Sequence, residues 1–226
     1  MATTAQIIEL RQQLAERFPA AHAARSRDEE TFPTGLPCLD DIGLPKGALT
    51  ELVSPHRSAG SALLLRGLIE NLARNGQYLA LIDGRDSFDP QSVGQAACDR
   101  LLWIRCRTVH ESLKAADILL RDGNLPFVVI DLQFNPAHQF RRVGGQTWYR
   151  LQSLVAKTNA TCLFMTPTKS VSSARVRMTM NSLFEVTALE RRNEQLLKSV
   201  QLHVTRRRRG LLDEMEQSET VRVMAG

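Results

Sequence analysis

The chain has 226 residues, 43% of them apolar and 23% charged, which is ordinary globular usage and excludes collagen-like, low-complexity and wholly disordered readings. No stretch approaches the ~18 consecutive apolar residues of a membrane helix, residues 1–6 lack the basic-then-apolar pattern of a secretory signal, and four scattered cysteines with no C-x-x-C suit a reducing cytoplasm rather than a disulfide or zinc scaffold. The net charge of +5 is unevenly spread: residues 141–211 carry 14 Lys/Arg against 3 Asp/Glu, whereas residues 1–140 carry 14 against 17, so the basic half is expected to face a polyanion or an acidic protein.

Three regions are expected: an N-terminal amphipathic helix and linker over residues 1–31, a core over 32–205, and a basic, charged tail over 206–226. In the first, Ile7, Leu10, Leu14 and Phe18 recur at helical spacing, and Pro19 stops the helix. In the second, residues 48–53 read as a short strand, followed by a loop and a helix with Leu64, Leu65, Leu68, Ile69 and Leu72 on one side. Gly76 stands at the end of that helix as a C-cap. Residues 78–83 and 101–104 follow as strands. Thr108, with Glu111 three residues on, predicts a capped helix over 109–122. Residues 127–132 give the strongest strand signal, 141–158 a helix, and 162–166 another strand. Later strands are expected over 183–189 and 200–205. Strand–helix alternation predicts an α/β fold with a mostly parallel central sheet and helices on both faces.

The loop between the first core strand and its helix is Ser54-Pro55-His56-Arg57-Ser58-Ala59-Gly60-Ser61. A phosphate-binding P-loop needs G-x-x-x-x-G-K-[ST] at this place, with glycines to let backbone N–H groups wrap the phosphates and a lysine to neutralise them. Here Ser54 and Ala59 replace the glycines, Gly60 replaces the lysine, and only Ser61 matches. Sliding the frame so that Gly60 is the second glycine puts Ser61 at the lysine position. The loop reads as a vestige that caps its helix; the alternative is anion binding by its N–H groups with Arg57 in place of the lysine.

Thr34-Gly35-Leu36-Pro37-Cys38-Leu39-Asp40, then Gly43-Leu44-Pro45-Lys46-Gly47 and Thr50-Glu51-Leu52, resemble the approach to the P-loop in RecA recombinases. Ile82-Asp83-Gly84-Arg85-Asp86-Ser87-Phe88-Asp89-Pro90 resembles the next RecA strand and loop, and Val129-Ile130-Asp131 resembles the Walker B strand. The resemblance covers about residues 32–205 and implies a RecA-like P-loop NTPase core with a degenerate nucleotide site. Against that pattern, Gly60 stands for the phosphate lysine, Arg85 for the catalytic glutamate, and Pro167 for the glutamine that senses the γ-phosphate. Asp131 alone does not hydrolyse ATP, so a pseudo-ATPase with no cofactor is expected.

The size, the degenerate loop and the basic C-terminal half resemble ImuA, a RecA-like family related to the division inhibitor SulA. That resemblance implies a non-catalytic role in SOS-induced translesion mutagenesis. The implied partners are RecA, an ImuB-like Y-family protein and an error-prone replicative-type DNA polymerase assembly, with DNA as a further contact, in the cytoplasm or at the nucleoid and not at a membrane. A SulA-like inhibitor of cell division and a weak ATP-binding recombination factor are the alternatives. Lys169, Arg175 and Arg177 fall where RecA has its second DNA-binding loop. With Arg206, Arg207, Arg208 and Arg209 they are the candidate contacts to nucleic acid or an acidic partner, an ordinary solvated cluster being the other reading. Asp83, Asp86, Asp89 and Asp131 read as strand-end and turn acids rather than a metal cluster, since no His or Cys stands in ligand spacing. Trp103, Trp148 and Tyr149 read as core or interface residues. The N-terminal helix matches the arm with which RecA grips its neighbour, which makes it a candidate docking element; a helix folded back on its own sheet is the alternative.

Overall fold

Strands that are apolar on both faces need a layer of helices above and below them, and the computed structural model supplies both. It describes residues 30–56, 59–182, 184, 188 and 190–208, together with Glu9, Gln13, Glu16 and Arg17. Thr31–Arg207 cluster as one unit.

In chain order that unit contains β1 (Thr31–Phe32), α1 (Pro37–Asp40), β2 (Leu44–Pro45), β3 (Ala48–Val53), α2 (Ser61–Arg74), β4 (Leu79–Asp83) and α3 (Gln95–Cys98). It continues with β5 (Leu101–Arg105), α4 (Val109–Asp122), β6 (Phe127–Asp131), α5 (Ala137–Phe140), α6 (Gly145–Thr158), β7 (Thr161–Thr166), β8 (Val176–Met180), α7 (Asn193–Lys198) and β9 (Leu202–Arg207). Seven strands form one sheet in the order β5-β4-β6-β7-β3-β8-β9. Every pairing is parallel except β8 with β9. The seven-stranded sheet therefore begins at β3, near its middle, and the chain passes over two strands, β7 and β6, to reach β4.

Side-chain alternation along each strand sends neighbouring residues to opposite helix layers. Leu79, Leu81, Phe127, Val129, Leu163 and Met165 meet Leu64, Leu68 and Leu72 of α2 on one face. Ala80, Ile82, Val128, Ile130, Cys162 and Phe164 meet Val109 and Leu113 of α4 and Trp148, Leu151 and Val155 of α6 on the other. Trp148 packs edge-on against Phe164 with ring centroids 5.4 Å apart, whereas the next residue, Tyr149, is exposed. Trp103 is half-buried, edge-on to Phe88, with Arg105 over its ring.

The caps are where the sequence puts them. Thr108 Oγ1 accepts from Glu111 N at 3.2 Å, and Glu111 reaches back to Arg107 N at 2.8 Å, one residue beyond the reciprocal bond of a standard capping box. Gly76, at φ +75°, follows α2, and Gln77 N donates to Leu72 O, the bonding of a Schellman turn.

Three expectations need correction. The expected strand over residues 183–189 is not found at Phe184 or Ala188, and its other positions lie outside the described residues. The strand lies earlier instead, as β8, where Val176, Met178 and Met180 are buried and Arg177 and Thr179 are half-exposed. The last strand runs to Arg207 rather than residue 205, so Arg206 and Arg207 belong to the sheet and not to a tail. Finally, the helix expected over 141–158 begins at Gly145; residues 141–144 turn between it and the short α5. The expected helix over residues 4–18 lies outside the described residues apart from Glu9, Gln13, Glu16 and Arg17, which are helical and exposed. Among the described residues no helix is long and apolar enough to cross a membrane.

Candidate functional site at the carboxyl edge of the sheet

Parallel strands direct their carboxyl ends to one edge, and ligands of open α/β sheets bind in the crevice there. Ser54, Asp83, Asp131 and Thr166 stand at that edge, at or just beyond the ends of β3, β4, β6 and β7. The sequence-derived candidates for a nucleotide site are thus brought together.

The first residue of the loop is held by the neighbouring strand ends. Ser54 is buried, its N–H donates to Thr166 O at 2.9 Å, and its hydroxyl donates to His56 O at 3.1 Å. The Gln133 amide donates to Ser54 Oγ at 3.1 Å from the end of β6. Ala59 and Ser61 are buried. Gly60 caps α2 in the left-handed region at φ +94°, where a side chain is strained. A Cβ at Gly60 would lie 2.6 Å from Cε2 of Phe184. An aromatic ring therefore occupies the space into which a side chain at the lysine position of the straight frame would start. In the slid frame that position is Ser61, and it is enclosed. Arg57 lies outside the described residues.

The acids next to the loop have separate structural partners. Asp83 accepts from the N–H groups of Arg85, Ser87 and Phe88 at 2.8–3.2 Å. Asp131, its cross-strand neighbour in register, accepts from Gln133 N at 3.0 Å. Burial pushes the Asp131 carboxyl up to about 6, the Gln133 N–H opposes the rise, and the Asp83 charge adds to it. Asp86 pairs with Arg105 at 2.5 Å, and Asp89 caps a turn through Gln91 N at 2.9 Å. Among the described residues no three His, Cys, Asp or Glu side chains gather as a metal site. Arg85, at the glutamate position, is exposed and reaches Arg107 O at 3.4 Å.

Glu51 is the residue the sequence reading passed over. It is fully buried, and Oε1 accepts from Thr166 Oγ1 at 3.0 Å, Ser170 N at 2.7 Å and Val171 N at 3.0 Å. Its other oxygen pairs with Arg177 Nε at 2.5 Å, and Arg177 also donates to Val171 O at 2.8 Å. Arg177 is therefore a strand residue whose guanidinium is committed to a buried carboxylate; the expectation of a loop cation does not hold for it. The signal was available, because a lone acid within an apolar strand requires a buried partner. Arg206 donates to Ser172 O at 3.2 Å, and Arg207 donates to Ile42 O. The connection from β7 to β8 is thus tied down by Glu51, Arg177 and Arg206. Lys169 is exposed on it, Arg175 is half-exposed with its N–H bonded to Leu49 O, and Arg208 is exposed beyond β9. Arg209 lies outside the described residues.

Against known proteins, the chain is 30% identical over 156 residues to Protein RecA of Leifsonia xyli, covering 60% of this chain and 43% of that one. It is 32% identical over 130 residues to Protein RecA of Xanthomonas axonopodis, covering 53% and 38%. To Protein RecA of Ruminococcus albus it is 28% identical over 163 residues, covering 63% and 40%. The core is RecA-like. The matched stretch spans under half the length of these relatives, and no protein-family model matches the chain. The RecA-like core and its parallel sheet agree with the fold expected from the sequence.

Proposed function

We propose that the chain is a non-catalytic RecA-like adaptor of the ImuA kind in SOS-induced mutagenic DNA repair. It binds RecA and an ImuB-type Y-family-like protein within an error-prone polymerase assembly. The observation that carries the reading is at Gly60. A RecA-like core retains its strand–loop–helix geometry, yet the lysine position holds a glycine in the left-handed region with the Phe184 ring packed against it. Arg85 adds a positive charge where a water-activating carboxylate would stand, and Pro167 offers no side-chain donor. Loss of a positioned base removes ~10²–10⁴-fold of rate, in addition to the loss of phosphate neutralisation. What the fold retains is a rigid scaffold with helices on both faces. Direct DNA contact belongs to this reading through the exposed Lys169 and Arg208.

The test has two arms. Titration of the full chain with labelled ATP and Mg²⁺ is expected to give no saturable binding at micromolar nucleotide and no turnover above a buffer control; a micromolar dissociation constant overturns the pseudo-ATPase reading. Sedimentation with RecA filaments on single-stranded DNA, beside a tubulin-like polymer as the comparison, is expected to carry the chain down with RecA alone. Cosedimentation with the tubulin-like polymer instead would assign it to the SulA-like alternative.

A further inference from the structure

The seven-stranded sheet ends at β5 on one side and at β9 on the other. The outward side of a terminal strand carries a row of backbone N–H and C=O groups, which is a template for one more strand. At β9 no strand lies against that side among the described residues. The strand is also thinly covered: none of its six residues is buried, and Val204 is 45% exposed.

The two ends differ in charge. At β5 the last residue, Arg105, is paired through two bonds with Asp86. Around β9, residues 199–210 contain four arginines, one histidine and no acid. Arg206 and Arg207 follow one another in the ladder, opposite Arg177 and Val176, so they lie on opposite faces of the sheet. Their bonds agree. Arg206 donates to Ser172 O, next to Val171 in the layer of α6, and Arg207 donates to Ile42 O in the layer of α2.

This arrangement selects among occupants. A second copy pairing edge to edge would set arginines against arginines, and like charges directly opposite oppose pairing. An added strand sends successive side chains to opposite faces, so two adjacent carboxylates reach the arginine on each face. A nucleic acid suits the edge less well. Residues 199–210 contain no aromatic side chain for a base to stack on, and stacking holds single strands. A phosphate chain also offers no N–H donors for the carbonyls of an edge.

We infer that β9 takes up an extended acidic segment of another protein as a further strand. Main-chain hydrogen bonds along the outer edge hold it, and its carboxylates face Arg206 and Arg207. The inference does not depend on the repair role or on the nucleotide loop.

The probe is a fluorescein-labelled peptide of roughly eight residues, valine and threonine around two adjacent glutamates, long enough to span β9. Two further peptides carry N-methyl groups on alternate amides, one set each. Full-length protein is expected to bind the unmodified peptide saturably. One methylated set should abolish binding and the other should keep it, because alternate amides of a paired edge strand face the sheet and the solvent. Arg206→Gln with Arg207→Gln should weaken binding roughly 10-fold; the glutamine amides remain donors for the carbonyls. Hydrogen exchange of the unaltered protein, which requires no variant to fold, should slow at β9 on adding peptide and stay unchanged at β5. Absence of saturable binding overturns the proposal, as does indifference to the glutamine pair. Equal behaviour of the two methylated sets overturns it, as does protection at β5 in place of β9. Oligothymidylate that binds as tightly and protects β9 would assign the edge to nucleic acid and overturn it. Dimerisation of the protein that protects β9 would assign the edge to a second copy, with the same consequence.

Discussion

Glu51 shows how one residue can decide a connection. Four donors converge on its carboxylate, and the cation among them, Arg177, is largely withdrawn from water. Breaking such a pair from one side leaves an uncompensated buried charge, which costs about 3–5 kcal/mol. Arg177→Met should lower stability in urea by that order, and adding Glu51→Gln should recover part of it; single and double variants that lose equal stability would show the pair to be uncoupled. Asp131 gives a second residue-level test. Its carboxyl is held at about 6 by burial and by Asp83, so the folded protein keeps that proton more tightly than the unfolded chain does. Stability should therefore fall as pH rises from about 4 through about 6 and level off above, a loss of about 3 kcal/mol. In Asp131→Asn that component should vanish, so that the variant gains on the parent between those pH values in parallel denaturation series. A constant difference across the range would count against the buried-carboxyl account. Neither residue's partners could be read from the chain, because Glu51 and Arg177 are brought together only by the pairing of β3 with β8.

At the scale of elements, what was legible followed period and punctuation. Continuous apolar runs placed β4, β6 and β7, and Thr108 and Gly76 fixed helix ends, since those signals are local. The strand β8 was missed although Val176-Arg177-Met178-Thr179-Met180 alternates strictly; the resemblance to RecA placed Arg175 and Arg177 in a DNA-binding loop, and that correspondence stood in place of the period. For the phosphate-loop element, the missing lysine was legible in sequence, while the aromatic ring over Gly60 was not, because Phe184 comes from over a hundred residues downstream. Gly60→Lys should accordingly fail to restore nucleotide binding. It should also destabilise the core by about 1–3 kcal/mol, from a strained left-handed side chain and the encounter with Phe184. Phe184→Ala in the same background should return only the steric share. If Gly60→Lys alone bound Mg-ATP at micromolar concentration, the ring would not be a barrier and the loop would be a P-loop one residue short.

Across the unit Thr31–Arg207, the seven-stranded sheet lies between two apolar layers, and protection from solvent is graded across it. In β6 the four residues Phe127, Val128, Val129 and Ile130 are buried, and all six of β7 are. By contrast β9, at the sheet edge and the one antiparallel strand of it, has no buried residue. Its attachment rests on the ladder to β8, which carries an irregularity between Arg177 and Met178, and on side-chain bonds such as Arg206 to Ser172 O. Local opening follows the amount of apolar surface that holds an element down. Amides of β6 and β7 should therefore exchange only through global unfolding. The β9 amides bonded to β8 should exchange through a partial opening at least about 2 kcal/mol cheaper, roughly 30-fold faster. Native-state hydrogen exchange at low denaturant reads this directly. Equal protection across the sheet would mean that the edge unfolds with the centre, and that the arginine bonds of β9 hold it as firmly as apolar burial holds β6.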